Sequence, residues 1–291
     1  MNPSPPKSAP TVSVLITLFN GEEFVAECIE SILCQTYKDF ELVIADDAST
    51  DASLEVVRRF DDSRIRVLPP VGRQLGLHQN WTRAYEAAIG TYIKHVCHDD
   101  LLEPRCLERQ VEILEGLPDV AIACGRRRII DDRGATVLAA RGMGALVGAH
   151  GPRVVSGDLL ARACVRAGTN LLGEPACVLI RRSKLPDPLF DPRWSYTIDV
   201  ELDLRIASSS SAVVDREVVA SFRVSPSQLS STLADGQARE LRVLFRELLY
   251  QHPGTISRLD VLQGDIRSFL HAEGRRLFYR LLAIRRSVTR R

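Results

Sequence analysis

The sequence lacks any apolar run approaching the ~20 residues that a membrane-spanning helix requires, so no stretch of its 291 residues reads as a span. It has almost no charge imbalance. Lys+Arg 38 against Asp+Glu 37 leaves +1, which gives no reason to expect a nucleic-acid partner. None of the seven cysteines stands in a CxxC pair or in a Cys/His cluster at metal-ligand spacing. That pattern reads as reduced, mostly buried thiols of a cytosolic protein. His95 and His98 are close in sequence, but no second His or Cys group has fitting spacing, so zinc is excluded. No Gly-x-Gly-x-x-Gly follows the first apolar run and no Gly-rich phosphate loop is present, which argues against a dinucleotide-dependent oxidoreductase. There is no internal repeat. The opening MNPSPPKSAP is polar and Pro-rich, without the apolar core of a signal peptide. Residues 1–10 are therefore expected to be a disordered tail and the protein to be cytoplasmic.

What is present is an alternation of periods. VSVLIT (12–17) is a short apolar run ending at Asn20-Gly21, which predicts a buried strand and a turn. From Glu22 the period lengthens: Val25, Cys28, Ile29, Ile32 and Leu33 fall on one helical face, and Asn20 with Glu23 resembles a capping box. Strands are predicted at 41–45, 64–68, 91–97 and 119–124. Helices are predicted over 49–60, 77–89 and 103–116. Residues 134–172 are rich in Gly, Ala and Arg, with few clear elements. Beyond them the pattern predicts strands at 177–182, 211–214 and 218–223, a helix over 198–208, and a helical tail from Asp235 broken near Pro253 and Gly264. Strand–helix alternation argues for an α/β fold with a mostly parallel central sheet flanked by helices. Ligands of such sheets bind beyond the carboxyl ends of the strands.

Acidic residues stand at two of those ends. Asp46-Asp47 follow the second strand, where adjacent carboxylates repel unless each has a partner. They read either as an N-capping turn or as acceptors for a nucleobase edge or ribose hydroxyls. Asp99-Asp100 follow the fourth strand. They read either as a solvated turn or as hard oxygen ligands for Mg²⁺ or Mn²⁺ bridging a diphosphate. A third acidic group, Asp199 and Glu201, opens the helix predicted at 198. Asp199 lies in the first turn, where the helix dipole favours a carboxylate, and it is also suited to take a hydroxyl proton as a general base.

In this order the three sites sit within longer motifs: VSVLITLFNGEEFVAECIESILCQTYKDFELVIADDASTD, GLHQNWTRAYEAAIGTYIKHVCHDDLLEP, GEPACVLIRRS, FDPRWSYTIDVELDLR and ASFRVSPSQLS. Together they resemble the family 2 glycosyltransferases of the GT-A fold, in a variant with an Asn-Trp pair, from about Val12 to Ser231. The resemblance implies a GT-A domain over 11–232, with a donor half at 11–133 and an acceptor half at 134–232. A helical basic region, 233–291, would follow. It implies that Phe19, Asn20, Glu22, Asp46 and Asp47 hold the nucleotide, that Asn80 and Trp81 shape the donor pocket, and that Glu174 and Trp194 lie on the acceptor side. Asp99 matches the last acid of the family's metal-binding Asp-x-Asp motif, with Asp100 beside it, and Asp199 matches the catalytic base. The implied reaction is an inverting single displacement. It would transfer a sugar from a nucleotide-sugar donor to a glycan or lipid-linked acceptor, in surface polysaccharide or lipid-linked glycan assembly, with Mg²⁺ or Mn²⁺ as cofactor. The chain departs from the pattern in three places. Cys97 replaces the first acid of Asp-x-Asp, Ser225 stands where many members have His, and Thr17-Leu18 replaces Pro-Thr. The rival readings are a nucleotidyltransferase, which would not need the Asp199 segment, and a degenerate domain that binds nucleotide or glycan without catalysis.

Residues 274–291 hold seven Arg and no acid, with Leu277, Leu281, Ile284 and Val288 at helical spacing. Such a basic amphipathic helix either lies at an anionic inner membrane surface or packs on the second lobe with its arginines solvated.

Overall fold

In this computed structural model residues 9–143, 146, 151–224 and 234–289 are described, without the side chains of 234–235 and 275–289. Residues 1–8 and Ser225 thus lie outside the described residues, as do the side chains on which the reading of the 274–291 stripe depends. The sheet begins with β1 (Val12–Leu18) and β2 (Phe40–Asp46). Both are apolar over consecutive residues because both faces are covered. β3 (Ile65–Val67) and β4 (Tyr92–Cys97) complete a parallel block of order β3-β2-β1-β4. The helices between them are α1 (Val25–Leu33), α2 (Ser53–Val57) and α3 (Leu77–Ala87).

The sheet then changes direction. After the two-residue β5 (Leu101–Leu102), α4 (Cys106–Glu115) leads into β6 (Ile122–Ile130). β7 (Thr136–Arg141), β8 (Arg153–Ser156) and α5 (Gly157–Ala167) follow, so the patternless stretch before residue 172 does contain elements. β9 (Val178–Arg181) runs antiparallel to both β4 and β6 and joins the two halves. α6 (Ile198–Ser208) occupies the predicted helix, and β10 (Ser211–Arg223) pairs parallel with β6. The parallel pairs are thus the first block and β6–β10. A buried polar knot crosses the junction: Lys94 Nζ donates to Gln110 Oε1 at 2.7 Å, and Gln110 Nε2 donates to the carbonyls of Ala123 and Cys177. Lys94 and Gln110 are both buried, so each needs these partners.

Several local readings need correction. The capping box is absent: α1 is capped at Phe24 without a side-chain bond, and the Asn20 carboxamide oxygen instead accepts from Thr50 N at 2.8 Å. α2 starts only at Ser53, because residues 46–52 are committed to side-chain bonds that compete with helix formation. The predicted strands at 211–214 and 218–223 are one strand, whose register against β6 shifts at Val218. The charged Asp215-Arg216-Glu217 stretch that hid this continuity is held by an ion pair from Arg109 to Asp215.

The C-terminal helices are α7 (Ala234–Gln251) and α8 (Arg258–Thr289). The break falls after Gln251, near Pro253. There is none at Gly264, which α8 passes through for a packing reason. A Cβ on Gly264 would lie 2.0 Å from the carbonyl oxygen of Val165 in α5. A Cβ on Gly168, with φ +66° at the end of α5, would lie 2.4 Å from the Gly264 carbonyl oxygen, and the Ser268 hydroxyl donates to Gly168 O at 2.7 Å. The two helices cross backbone to backbone. Gly264→Ala is therefore expected to destabilise the fold by about 1–3 kcal/mol through overpacking. A thermal melt checks this, and an unchanged midpoint would refute the tight crossing. No helix among the described residues is long and apolar enough to cross a membrane.

Candidate functional site

Beyond the carboxyl ends of β1, β2 and β4 opens a cleft of about 700 Å³. Its floor is the loop after β1. Phe19 lies there partly exposed, and Asn20 adopts φ 47°. Gly21 follows, where a Cβ would meet the His98 ring at 2.4 Å. The absent side chain lets the imidazole close over the turn.

The loop after β1 is laced to the loop after β2. Thr50 N donates to Asn20 Oδ1, Gly21 N to Ser53 Oγ at 2.7 Å, and Glu22 N to Asp51 Oδ2 at 3.1 Å. The Glu22 carboxylate accepts from Ala52 N at 2.8 Å and does not line the cleft. Asp46 and Asp47 divide their work. Asp46 is buried and accepts from the Ser49 amide and hydroxyl, the latter at 2.5 Å. Asp47 lines the cleft while its two oxygens accept from Leu75 N (2.6 Å) and Gly76 N (2.9 Å), fixing the turn into α3. Each carboxylate thus has the partner that adjacent like charges require.

α3 supplies Asn80 and Trp81, both lining the cleft. Asn80 Nδ2 donates to Ala45 O at 2.8 Å, which orients its amide. Trp81 packs edge-on to His95, with ring centroids 4.1 Å apart. His95 Nε2 lies 3.0 Å from the Thr17 hydroxyl, and burial pushes the imidazole down to about 3, so it is neutral.

The acidic end of β4 forms the far wall. Ligand atoms of Cys97, Asp99 and Asp100 lie within 4.8 Å of one another. Asp99 lines the cleft, whereas Asp100 is buried behind it. Asp100 Oδ1 accepts from Arg223 N at 3.1 Å, while its buried Oδ2 has no hydrogen-bond partner. Burial, Asp99 and Glu174 push the Asp100 carboxyl well up. The orphaned oxygen and the neighbouring carboxylate fit a hard divalent cation, whereas the Cys97 sulfur is a soft donor that Mg²⁺ does not favour. Behind this cluster the fully buried Arg223 guanidinium donates to the Asp99 carbonyl (3.0 Å) and to Glu27 Oε2 (2.6 Å), and it stacks over Phe24.

Asp199, in the first turn of α6, lines the same cleft as Asp99. Desolvation, followed by the charge of Glu174, raises its carboxyl to about 6, against backbone hydrogen bonds that lower it. Glu201, by contrast, is paired with Arg205 at 2.8 Å. Glu174 forms an ion pair with Arg127 at 2.5 Å just before Pro175, a cleft residue. Trp194 is 3% exposed and lies in the core rather than on the cleft.

Two contributors were missed from sequence. One is Arg223. The other is Glu240, on α7, whose carboxylate accepts from the backbone N–H groups of Ser195, Tyr196 and Thr197 and from the Thr197 hydroxyl. It thereby holds the segment that leads into the Asp199 helix. Its separation of more than 40 residues from its partners leaves no local signal. Gln237, one turn earlier, lines the cleft.

The family described as glycosyl transferase family 2 matches residues 13–185. A putative glycosyltransferase EpsE from Bacillus subtilis is 40% identical over 112 residues, 37% of this chain and 40% of its own length. The chain thus spans well under half of that relative. A glycosyltransferase of Rickettsia typhi, RT0329, is 27% identical over 266 residues, 90% of this chain and 78% of its own. Among solved structures, S. aureus TarS in complex with UDP-GlcNAc superposes with a TM-score of 0.64 at 16% identity. It covers 82% of this chain and 66% of that one. That likeness bears on the fold.

Proposed function

Because the chain belongs to glycosyl transferase family 2, we propose that it transfers a sugar from a nucleotide-sugar donor to a hydroxyl of a glycan or lipid-linked acceptor, with inversion, in surface polysaccharide or lipid-linked glycan assembly. The observation that carries this reading is the placement of Asp99 and Asp199 on one cleft beyond the strand ends. TarS, of the same fold, was solved with UDP and with UDP-GlcNAc, which supports a nucleotide-sugar donor here. In this reading residues 11–133 form the donor half, 134–232 the acceptor half and 233–291 a helical basic region, whose residues 274–291 would make peripheral membrane contact.

The exposed Phe19 ring and Asp47 receive the base and ribose, and Asn80 and Trp81 bound the sugar. Asp199 takes the proton of the acceptor hydroxyl as that oxygen attacks the anomeric carbon from the face opposite the leaving diphosphate. Asp99 and Asp100 would hold Mg²⁺ or Mn²⁺, and such an ion would supply positive charge against the developing charge of the diphosphate. Asp46 and Glu22 act at one remove, by keeping the floor loops locked together.

Titration of the purified protein with UDP-, dTDP- and GDP-sugars in the presence of Mn²⁺ tests the reading. One donor is expected to bind and to be slowly hydrolysed. If none binds, the donor site fails, and the degenerate binding domain that Cys97 keeps in view takes its place only with a glycan as ligand. Since the donor set is two carboxylates and a soft sulfur, chelation is expected to leave part of the activity. Complete loss in chelator, restored by Mn²⁺, would count against weak metal binding.

A further inference from the structure

α8 is seated on one side and bare on the other. Val261, Ser268 and Ala272 are buried, and Gly264 presses on α5. On the outward side Leu259, Leu262, Ile266, Phe269 and Leu270 are each more than half exposed, Leu259 at 76%. Their spacing returns them to one face of an α-helix over three turns. The core has taken the face it needs, and this row remains as a separate surface. Contiguous exposed apolar rows of this kind mark interaction sites.

The charge distribution names the partner. Residues 274–291 contain seven Arg and no acid, and the whole chain has a formal net charge of +1, so residues 1–273 carry −6. The positive charge is thus concentrated in the sequence immediately after the apolar row. In the sequence, Leu277, Leu281, Ile284 and Val288 continue the spacing of Leu259, Leu262, Ile266 and Leu270. A second copy packed in parallel would bring seven arginines against seven with no acid in that segment to answer them. An anionic lipid surface answers both the apolar row and the cations.

We propose that the outward face of α8 between Leu259 and Leu270 lies in the interface of an anionic membrane, drawn there by the arginines that follow it. The proposal stands apart from the transfer reaction. It moves the membrane-binding surface from the extreme tail onto a helix clamped to the fold, and so gives the body of the protein a set orientation to the lipid.

Co-sedimentation of the full chain with vesicles of phosphatidylcholine, with and without about one-third phosphatidylglycerol, tests it. The protein is expected to pellet with the anionic vesicles and not with the neutral ones, and raised salt should weaken this. The triple variant Leu262→Gln, Ile266→Gln, Phe269→Gln is expected to bind at least about tenfold less. It should keep the wild-type melting temperature and donor binding, since these side chains face outward. The double variant Leu259→Gln, Leu270→Gln should show the same loss and serves if the triple variant misfolds. Absence of wild-type binding to anionic vesicles would overturn the proposal. So would binding by both variants equal to wild type, which would place all of the attraction in the arginines. A wild-type dimer in solution that the triple variant splits would assign the face to a second copy instead.

Discussion

Asp199→Asn is expected to reduce sugar transfer by about 10²–10⁴-fold while donor affinity stays within about twofold, the range ascribed to a positioned general base. The substitution keeps the shape of the side chain and removes only its ability to accept a proton. Steady-state kinetics beside donor titration separates the two effects, and equal losses in both would point to a collapsed cleft. The pH dependence carries a second signature. With the carboxyl raised to about 6, the basic form is lost as pH falls through that value, so wild-type transfer should rise through about 6 and level off above it. Stability runs the other way. A carboxyl raised above its unfolded value of 3.8 is favoured in its protonated form by the folded state. Ionising it as pH rises from about 4 to about 6 therefore weakens the fold. At neutral pH the Asn variant should consequently match or exceed wild type in stability, by up to about 3 kcal/mol. Lost activity with retained or increased stability marks a site kept for chemistry; a drop in both would make Asp199 structural.

Arg223→Met is expected to lower the melting temperature by about 10 °C. The guanidinium is 0% exposed and donates to the carbonyls of Asp99, Asp131 and Asp132 as well as to Glu27. Methionine fills a similar volume without a donor, so three half-buried carbonyls and an ion-pair partner lose their proton source. Glu27 is half exposed and can be solvated, so the cost comes mainly from the carbonyls left without a donor, about 1–3 kcal/mol each, and a chain of this size loses about 2–4 °C per kcal/mol. Donor affinity should fall too, because the Asp99 backbone loses its tie. Arg223→Lys should recover only part of the stability, since one ammonium cannot span partners on four sides. A melt of the Met variant within about 2 °C of wild type would show the network to be slack.

The parts of this structure legible in the sequence are those governed by neighbouring residues. β1, β2 and β4 announce themselves as short, mainly apolar runs because parallel strands are covered on both faces, and the helix at 198–208 is visible from its apolar spacing. The acidic residues Asp47, Asp99 and Asp199 were found because carboxylates at strand ends and in a first helical turn are conspicuous. What was misread depends on distant partners. Asn20 and Glu22 looked like a helix start and a ligand contact, yet both are spent on the loop after β2, some 30 residues on. Gly264 looked like a helix breaker until the α5 backbone that needs its empty side was in place. Trp194 resembled an acceptor-side aromatic, but the core claims it. Arg223 and Glu240 carry no local pattern at all, because their meaning lies in carbonyls and amides that only the tertiary fold collects around them.

The fork of hydrogen bonds from Glu240 has a consequence for where this enzyme ends. The recognisable motifs stop near residue 230, and a biochemist trimming the chain to them would keep every acid in the cleft. Such a fragment would retain Asp199 and lose the bracket on the segment that leads to it, because the acceptor for the amides of Ser195, Tyr196 and Thr197 lies beyond the cut. The unit that shapes the cleft is thus longer than its signature, and the helix that carries Glu240 is part of its architecture.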